Sequence, residues 1–355
     1  VQRTVAKVLD LKPEKVIVHT TLLGGGFGRR YMADYPAEGA QIAKKVGRPV
    51  QLVWSREDDM THDFYRPAAC HSMRGAVDST GKPLVWAHGM ASTSIAAFWN
   101  SPDAAEESEV GGAEQMPYAI PNVRLDYSPV ESSVPPLWWR SVEHSFNGFA
   151  VECFIDELAA AAGKDPVEFR RSFLVKPANW KPKNEEDPDP ARLRGVLDLA
   201  AEKIDWGRPL PKGQGRGIAT YHSFGSYIAE AAEVTVNGSD FKVDRVVAAI
   251  DCGQIVNPES VRAQAESAII YGLSAALKNE ITIRNGAVEQ TNFDGYDPLR
   301  IHEAPPIEVH LVQSKEDPGG MGEPALPPAA PAVANAIFAA SGQRVRSLPF
   351  QLKQA

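Results

Sequence analysis

Gly320-Met321-Gly322-Glu323-Pro324-Ala325-Leu326-Pro327-Pro328 sets one carboxylate between a glycine turn and a proline run, directly ahead of an alanine-rich stretch. Glycine lets backbone approach a bulky ligand, because no side chain intervenes. Proline stiffens the residues beside it and costs nothing at a helix start, where its missing N–H would be unpaired anyway. Glu323 therefore reads as a positioned general base, and a helix is expected over roughly 329–340.

Working outward, the 355 residues are 43% hydrophobic and 23% charged. That length suffices for a substantial core and suggests two or more domains. No apolar run approaches the ~20 residues that span a bilayer. The net charge is −8 and no Lys/Arg block stands out, which argues against a nucleic-acid partner. Cys70, Cys153 and Cys252 lie far apart without a C-x-x-C pair. A thiolate-held zinc or iron–sulfur site within the chain is thus not expected, and three buried thiols are the simpler reading. The chain opens directly on a helical pattern (Val1, Val5, Val8, Leu9), which reads as a fragment or processed subunit.

Strands are expected at 15–22, 49–54, 230–236, 242–251 and 307–313, and helices at 37–45, 147–162, 166–174 and 259–278. Hairpins are expected over 70–85, turning at Asp78-Ser79-Thr80-Gly81, with the strand continuing to 94, and over 280–289, turning at Asn285-Gly286. Glu57, Asp58 and Asp59 read as a solvated turn, and 100–115 as a polar surface loop. Strand groups alternating with single helices suggest α+β, with mixed sheets and flanking helices. Residues 1–175 form a first portion, 176–212 a Pro- and charge-rich linker or excursion, and 213–355 a second portion carrying Glu323.

Gly24-Gly25-Gly26-Phe27-Gly28-Arg29-Arg30 is a strand–glycine–helix junction whose N–H groups could face an anion or cofactor oxygens. It lacks the Gly-Lys-Ser/Thr of a P-loop. Trp138-Trp139-Arg140 reads equally as an aromatic wall with a cation for a substrate or cofactor oxygen, or as interior packing capped by arginine. His144 could reach the same place. Asn257 reads as the cap of the helix after Asp251-Cys252-Gly253. No Ser/His/Asp order or His-x-x-x-His pair supports a hydrolase or zinc reading.

In this order, the Gly24–Arg30 run, Trp138-Trp139-Arg140, Asp251-Cys252-Gly253 with Asn257-Pro258 and Gln264, and Gly320-Met321-Gly322-Glu323-Pro324 resemble the molybdenum-binding subunit of the xanthine oxidase/aldehyde oxidoreductase family. The nearest branch is the isoquinoline 1-oxidoreductase β-subunit type, and the match is to its C-terminal half. The resemblance implies the fold of molybdopterin-binding domains and a molybdopterin cofactor, in its cytosine dinucleotide form. It also implies hydroxylation of an aldehyde or N-heteroaromatic carbon with water-derived oxygen. By the same resemblance Glu323 deprotonates a molybdenum-bound hydroxyl; Gly25, Gly26, Phe27, Gly28, Arg140 and Gly322 lie at the cofactor; Trp138, Trp139 and His144 line the substrate pocket. No side chain is expected to ligate the metal.

The family's Met-Gly-Gln-Gly element is absent and belongs to an N-terminal half, expected as a separate or cleaved chain. A small [2Fe–2S] subunit and a cytochrome c acceptor are implied as further partners in a heteromeric complex. A periplasmic location is expected, with the cytoplasm as the alternative. Two rival readings are a non-catalytic subunit completing such a complex, and a stand-alone nucleotide-binding module built on Gly24–Arg30.

Overall fold

The computed structural model describes residues 1–99, 109–176, 178, 180–181 and 187–353. The chain divides into two compact units that interleave along the sequence: Val1–Pro67 with Ser132–Trp139 and Ile281–Gly295, and Ala68–Glu131 with Arg140–Glu280 and Tyr296–Ala355.

In the first unit Gln2–Leu9 (α1) ends on Asp10 in the left-handed region, and Asp34–Val46 (α2) ends on Gly47. Val5, Ala6 and Ala37 are buried on these two helices. The acidic stretch expected as a solvated turn is instead the first turn of Arg56–His62 (α3). Asp58 N–H donates to Ser55 Oγ (3.1 Å) and Ser55 N–H to Asp58 Oδ2 (3.2 Å). This reciprocal cap places Glu57, Asp58 and Asp59 at the positive end of the helix dipole. Ile283–Arg284 and Ala287–Val288 pair as the expected hairpin, with Asn285 and Gly286 both at positive φ. The expected strands at 15–22 and 49–54 form no ladder among the described residues. Strand propensity alone does not make a strand without a partner to bond.

The second unit holds two sheets. Ala69–Val77 (β1) and Pro83–Thr93 (β2) form the expected antiparallel hairpin, and Asn122–Val130 (β3), not among the expected strands, joins β2 in parallel. Asp78 Oδ1 closes the turn by accepting from the N–H groups of Thr80 (2.8 Å) and Lys82 (3.0 Å). Cys70 on β1 is exposed, unlike the buried Cys153 and Cys252, and all three thiols are free. Of the expected surface loop, 100–108 lies outside the described residues. Glu109, Val110 and Ala113 are buried, and Asn147 Nδ2 donates to the carbonyls of Glu109 and Gly111 (2.9 Å each). That bonding is what allows this polar stretch to be interior.

His144–Ala161 (α4) and Pro166–Phe173 (α5) follow as expected. The stretch expected as a linker contains Pro190–Lys203 (α6), opened by Asp189 accepting from Ala191 N–H and by Pro190 at the first position. Leu193, Val196 and Leu197 of α6 are fully buried. They share a core with Ile155, Phe169, Ile218, Ala229 and Val247. Gln214–Ser223 (β4), Ser226–Asn237 (β5), Asp240–Asp251 (β6) and Ile307–Leu311 (β7) form the main sheet in that order; β4–β5–β6 is antiparallel and β7 joins β6 in parallel. Pro258–Leu277 (α7), capped by Asn257 as expected, and Ala329–Ser341 (α8) complete the unit. Among the described residues no helix is long and apolar enough to cross a membrane.

Gly213 turns the chain into β4 with a left-handed φ of 83°, but the two glycines after it serve another purpose. Gly215 and Gly217 lie within β4, where an added Cβ would overlap the backbone of Ala336 on α8. Their bare backbone lets the helix after Glu323 lie directly on the sheet. Gly217→Ala is therefore expected to lower stability by about 1–3 kcal/mol through overpacking. Gly195→Ala, at an α6 position where a Cβ meets nothing within 4 Å, should gain up to about 1 kcal/mol. Thermal unfolding of the two variants checks the contrast.

Candidate functional site

In the second unit, the loop before Glu323 rests on the β4–β5 turn. Phe224 and Gly225 turn the chain with left-handed φ values of 53° and 74°. Gly320 N–H donates to the Phe224 carbonyl (2.7 Å), Gly319 N–H to the Cys252 carbonyl (2.9 Å), and Ser226 Oγ to the Gly320 carbonyl (2.6 Å). A Cβ on Gly319 would stand 2.5 Å from the Gly225 carbonyl oxygen, so the crossing needs glycine. Beyond the loop, Leu326 N–H donates to the Glu323 carbonyl (3.0 Å), opening the turn that leads into α8.

Glu323 is half-buried and held on one side. Its Oε2 accepts from Ser141 N–H (2.5 Å), and its backbone carbonyl accepts from Ser141 Oγ (2.7 Å). Oε1 has no hydrogen-bond partner among the described residues, and a Cβ on the neighbouring Gly322 would meet nothing within 4 Å. One carboxylate oxygen is fixed and the other faces open space, an arrangement suited to taking a proton from a docked group.

Ser141 and Val142 adopt φ values of 70° and 42°. Left-handed backbone at non-glycine residues, above all at a β-branched one, costs about 1–3 kcal/mol each and persists only where the surroundings over-determine it. Arg140 supplies that constraint from a buried position. Its Nε donates to the Gly322 carbonyl (2.9 Å), as does Nη2; Nη1 donates to Ser267 Oγ (2.9 Å), and Nη2 to Gln264 Oε1 (3.0 Å). The guanidinium lies 5.2 Å from the Tyr271 ring centre. Burial lowers its pKa, opposed by Tyr271 and Glu323. Arg140, expected to meet substrate or cofactor directly, thus fixes the glycine beside Glu323 to one turn of α7. Arg140→Lys should lower stability by about 1.5–3 kcal/mol, the worth of charge-assisted bonds that an ammonium cannot reproduce as a planar fork; the melting temperature reports it.

His144, at the start of α4, has Nδ1 3.2 Å from Tyr221 Oη and packs edge-to-face on Tyr221 and Phe224. Burial, helped by His222, lowers its pKa to about 4, so it is neutral at neutral pH. It supports the β4–β5 turn that carries the Gly320 loop. Asp251 is held by Arg192 (2.8 and 2.7 Å) and by Gly253 N–H (3.1 Å), at the strand end that receives Gly319.

In the first unit the glycine-rich loop and the tryptophan pair come together. Gly28, with φ 92°, meets the Trp138 carbonyl so closely that a Cβ there would overlap it. Phe27, itself at φ 49°, folds its ring back over Gly25. Arg29 is turned inward: it holds Asp34 through two bonds (2.9 and 2.7 Å) and also grips Asp63. Trp138 meets Tyr31 edge-on at 5.2 Å, and Trp139 lies under Arg66 at 4.4 Å. Gly25, Gly26, Phe27, Gly28, Trp138 and Trp139 therefore belong to one unit, and Arg140, His144, Gly322 and Glu323 to the other.

The sequence did not single out Ser141 or Ser267. Ser267 lies three residues after Gln264 and so on the same helical face, a legible signal. Nothing in the sequence marks Ser141 as left-handed. Among the described residues no group of three or more His, Cys, Asp or Glu is gathered to hold a metal ion. The open Oε1 of Glu323, the unfilled space at Gly322, and Val142 N–H, which has no acceptor among the described residues, suit an oxygen-rich group that brings its own metal ligands.

Residues 1–174 match a family model described as a molybdopterin cofactor-binding domain, and residues 158–305 match a second of the same description. The chain is 32% identical, over 98% of its length and 47% of the relative's, to the membrane-bound aldehyde dehydrogenase [pyrroloquinoline-quinone] of Gluconacetobacter polyoxogenes. It is 31% identical, over 98% of its length and 44% of the relative's, to isoquinoline 1-oxidoreductase subunit beta of Brevundimonas diminuta. The chain thus spans about half the length of these relatives. Its fold matches that of quinoline 2-oxidoreductase from Pseudomonas putida 86 with a TM-score of 0.83, at 15% identity, covering 96% of this chain and 68% of that one.

Proposed function

Because this chain belongs to the molybdopterin cofactor-binding family of xanthine oxidase-type molybdenum-binding subunits, we propose that it is part of a molybdenum hydroxylase. The enzyme oxidises an aldehyde or an N-heteroaromatic compound with oxygen derived from water. The observation that carries this reading is Glu323, with one oxygen tethered by Ser141 and the other presented to open space. When bound, molybdopterin with its molybdenum supplies the redox chemistry. Glu323 Oε1 takes the proton of the attacking hydroxyl, while Ser141 N–H keeps the carboxylate from rotating away. Arg140, through Gly322, holds that carboxylate at a fixed height above α7.

Gly25, Gly26, Gly28 and Gly322 are proposed to lie against the cofactor, in its cytosine dinucleotide form. Phe27, Trp138 and Trp139 are proposed to shape the substrate pocket. Adding water-derived oxygen to a C–H carbon releases two electrons, which need an acceptor. A [2Fe–2S] partner chain receives them, with a cytochrome c beyond it, and the remaining part of the molybdenum subunit completes the cofactor cradle. A periplasmic location accords with that acceptor.

The Gluconacetobacter relative carries pyrroloquinoline quinone in its name, which offers a second cofactor. Acid denaturation of the assembled protein, then oxidation, separates the two. We expect a fluorescent pterin together with cytidine monophosphate; a quinone without pterin overturns the proposal.

A further inference from the structure

The first unit is poorly closed on itself. Its buried apolar residues among those described are few: Val5, Ala6, Ala37, Pro67, Val134, Pro136, Leu137 and Val288. By contrast Ile17 is 79% exposed, Leu22 fully exposed and Val53 76% exposed. These lie in two short apolar segments, Val16-Ile17-Val18-His19-Thr20-Thr21-Leu22-Leu23 and Pro49-Val50-Gln51-Leu52-Val53-Trp54. Both are dense in β-branched and aromatic residues and contain no interior glycine or proline, the composition of a strand. Yet residues 17–23 and 50–54 form no backbone hydrogen bond among the described residues. A run of apolar side chains beside unbonded N–H and C=O groups is an open template for another strand.

We infer that these two segments are strands awaiting their partners, and that the partners are extended, apolar segments of the part of the molybdenum-binding subunit that this chain does not span. The inference rests on the proposed function for the nature of the larger subunit. The match to the two relatives uses 98% of this chain but only 47% and 44% of theirs, so such a subunit has more than enough further polypeptide. Strand addition would satisfy the idle backbone groups and cover the apolar side chains in one step. It would also stiffen the stretch that leads into Gly25–Gly28, so the glycine loop would take up its working position only in the assembled subunit.

Hydrogen exchange compares the chain alone with the complete subunit. Amides 17–23 and 50–54 should exchange freely in the chain alone and be slowed roughly 100-fold or more once paired, as core strands are. Val18→Pro and His19→Pro remove N–H groups that point to opposite sides of a strand, so at least one should block assembly. Neither should change the melting of the chain alone, where those groups are unbonded, and Val18→Thr should assemble normally. Protection already present in the chain alone, a homodimer paired through these segments, or normal assembly of both proline variants would overturn the inference. Pterin analysis separates the two proposals. Pterin bound without strand protection overturns the strand addition alone; protection without pterin overturns the function alone.

Discussion

Glu323→Gln is expected to lower turnover of the assembled enzyme by about 10²–10⁴-fold, the usual worth of a positioned general base. Glutamine has the same shape, and its carbonyl oxygen can still accept from Ser141 N–H, so the loop and the α8 start keep their form. Only the ability to take a proton is lost. The loss should appear in kcat and kcat/KM together, with KM little changed, because the interaction is made in the transition state. Unchanged turnover would support a subunit whose role is to complete a complex without taking part in its chemistry.

The second large effect concerns stability. Arg170 and Glu152 are both essentially inaccessible and paired, with Nε and Nη2 of Arg170 3.1 and 3.0 Å from Glu152 Oε2. The same oxygen accepts from Thr220 N–H on β4 (2.9 Å), and Oε1 accepts from Tyr118 Oη (2.6 Å). Asn335 on α8 bridges the carbonyls of Glu152 (3.3 Å) and Ile218 (3.1 Å). Three helices and one strand thus meet at one buried ion pair. Arg170→Met would leave Glu152 charged and unpaired, at a cost of about 3–5 kcal/mol. Glu152→Gln combined with Arg170→Met removes both charges and should recover part of that loss. Chemical denaturation of the two variants measures both effects. The wild-type network holds the middle of α8, at Asn335, against β4, and so steadies the helix that follows Glu323.

The parts of this fold that the sequence announces are those with local causes. The start of α8 comes from Pro327-Pro328, the cap of α7 from Asn257, and the hairpin near 285 from Asn285-Gly286. Where the cause is distant, the reading fails. Nothing local accounts for Gly215 and Gly217, whose cause is α8 lying on them. Lys176 to Pro190 is rich in breakers, yet Asp189 and Pro190 are a sound helix start, and α6 is buried because the main sheet needs cover. β3 is different: Val123, Leu125 and Tyr127 alternate with polar neighbours, a local period-2 signal that was there to be read. The strands at 15–22 and 49–54 are legible in composition and unrealised in the structure.

The site divides in the same way. Glu323 is conspicuous from its glycine and proline frame alone. Arg140 stands beside two tryptophans and invites a substrate-facing role, yet its partners lie far along the chain, at Gln264, Ser267 and Gly322. The left-handed pair Ser141–Val142 is strained because of its surroundings. His144 is near the site but neutral, and serves the turn that carries the Gly320 loop.

If this chain supplies the base of a molybdenum enzyme, the deciding measurement is molybdenum content against turnover, made on the same preparations of wild-type and Glu323→Gln complexes. The expected result is about one molybdenum per copy of this chain in both, with turnover retained only by the wild type. Wild-type complex that is active without molybdenum, or a Glu323→Gln complex that is fully loaded and fully active, would contradict that role.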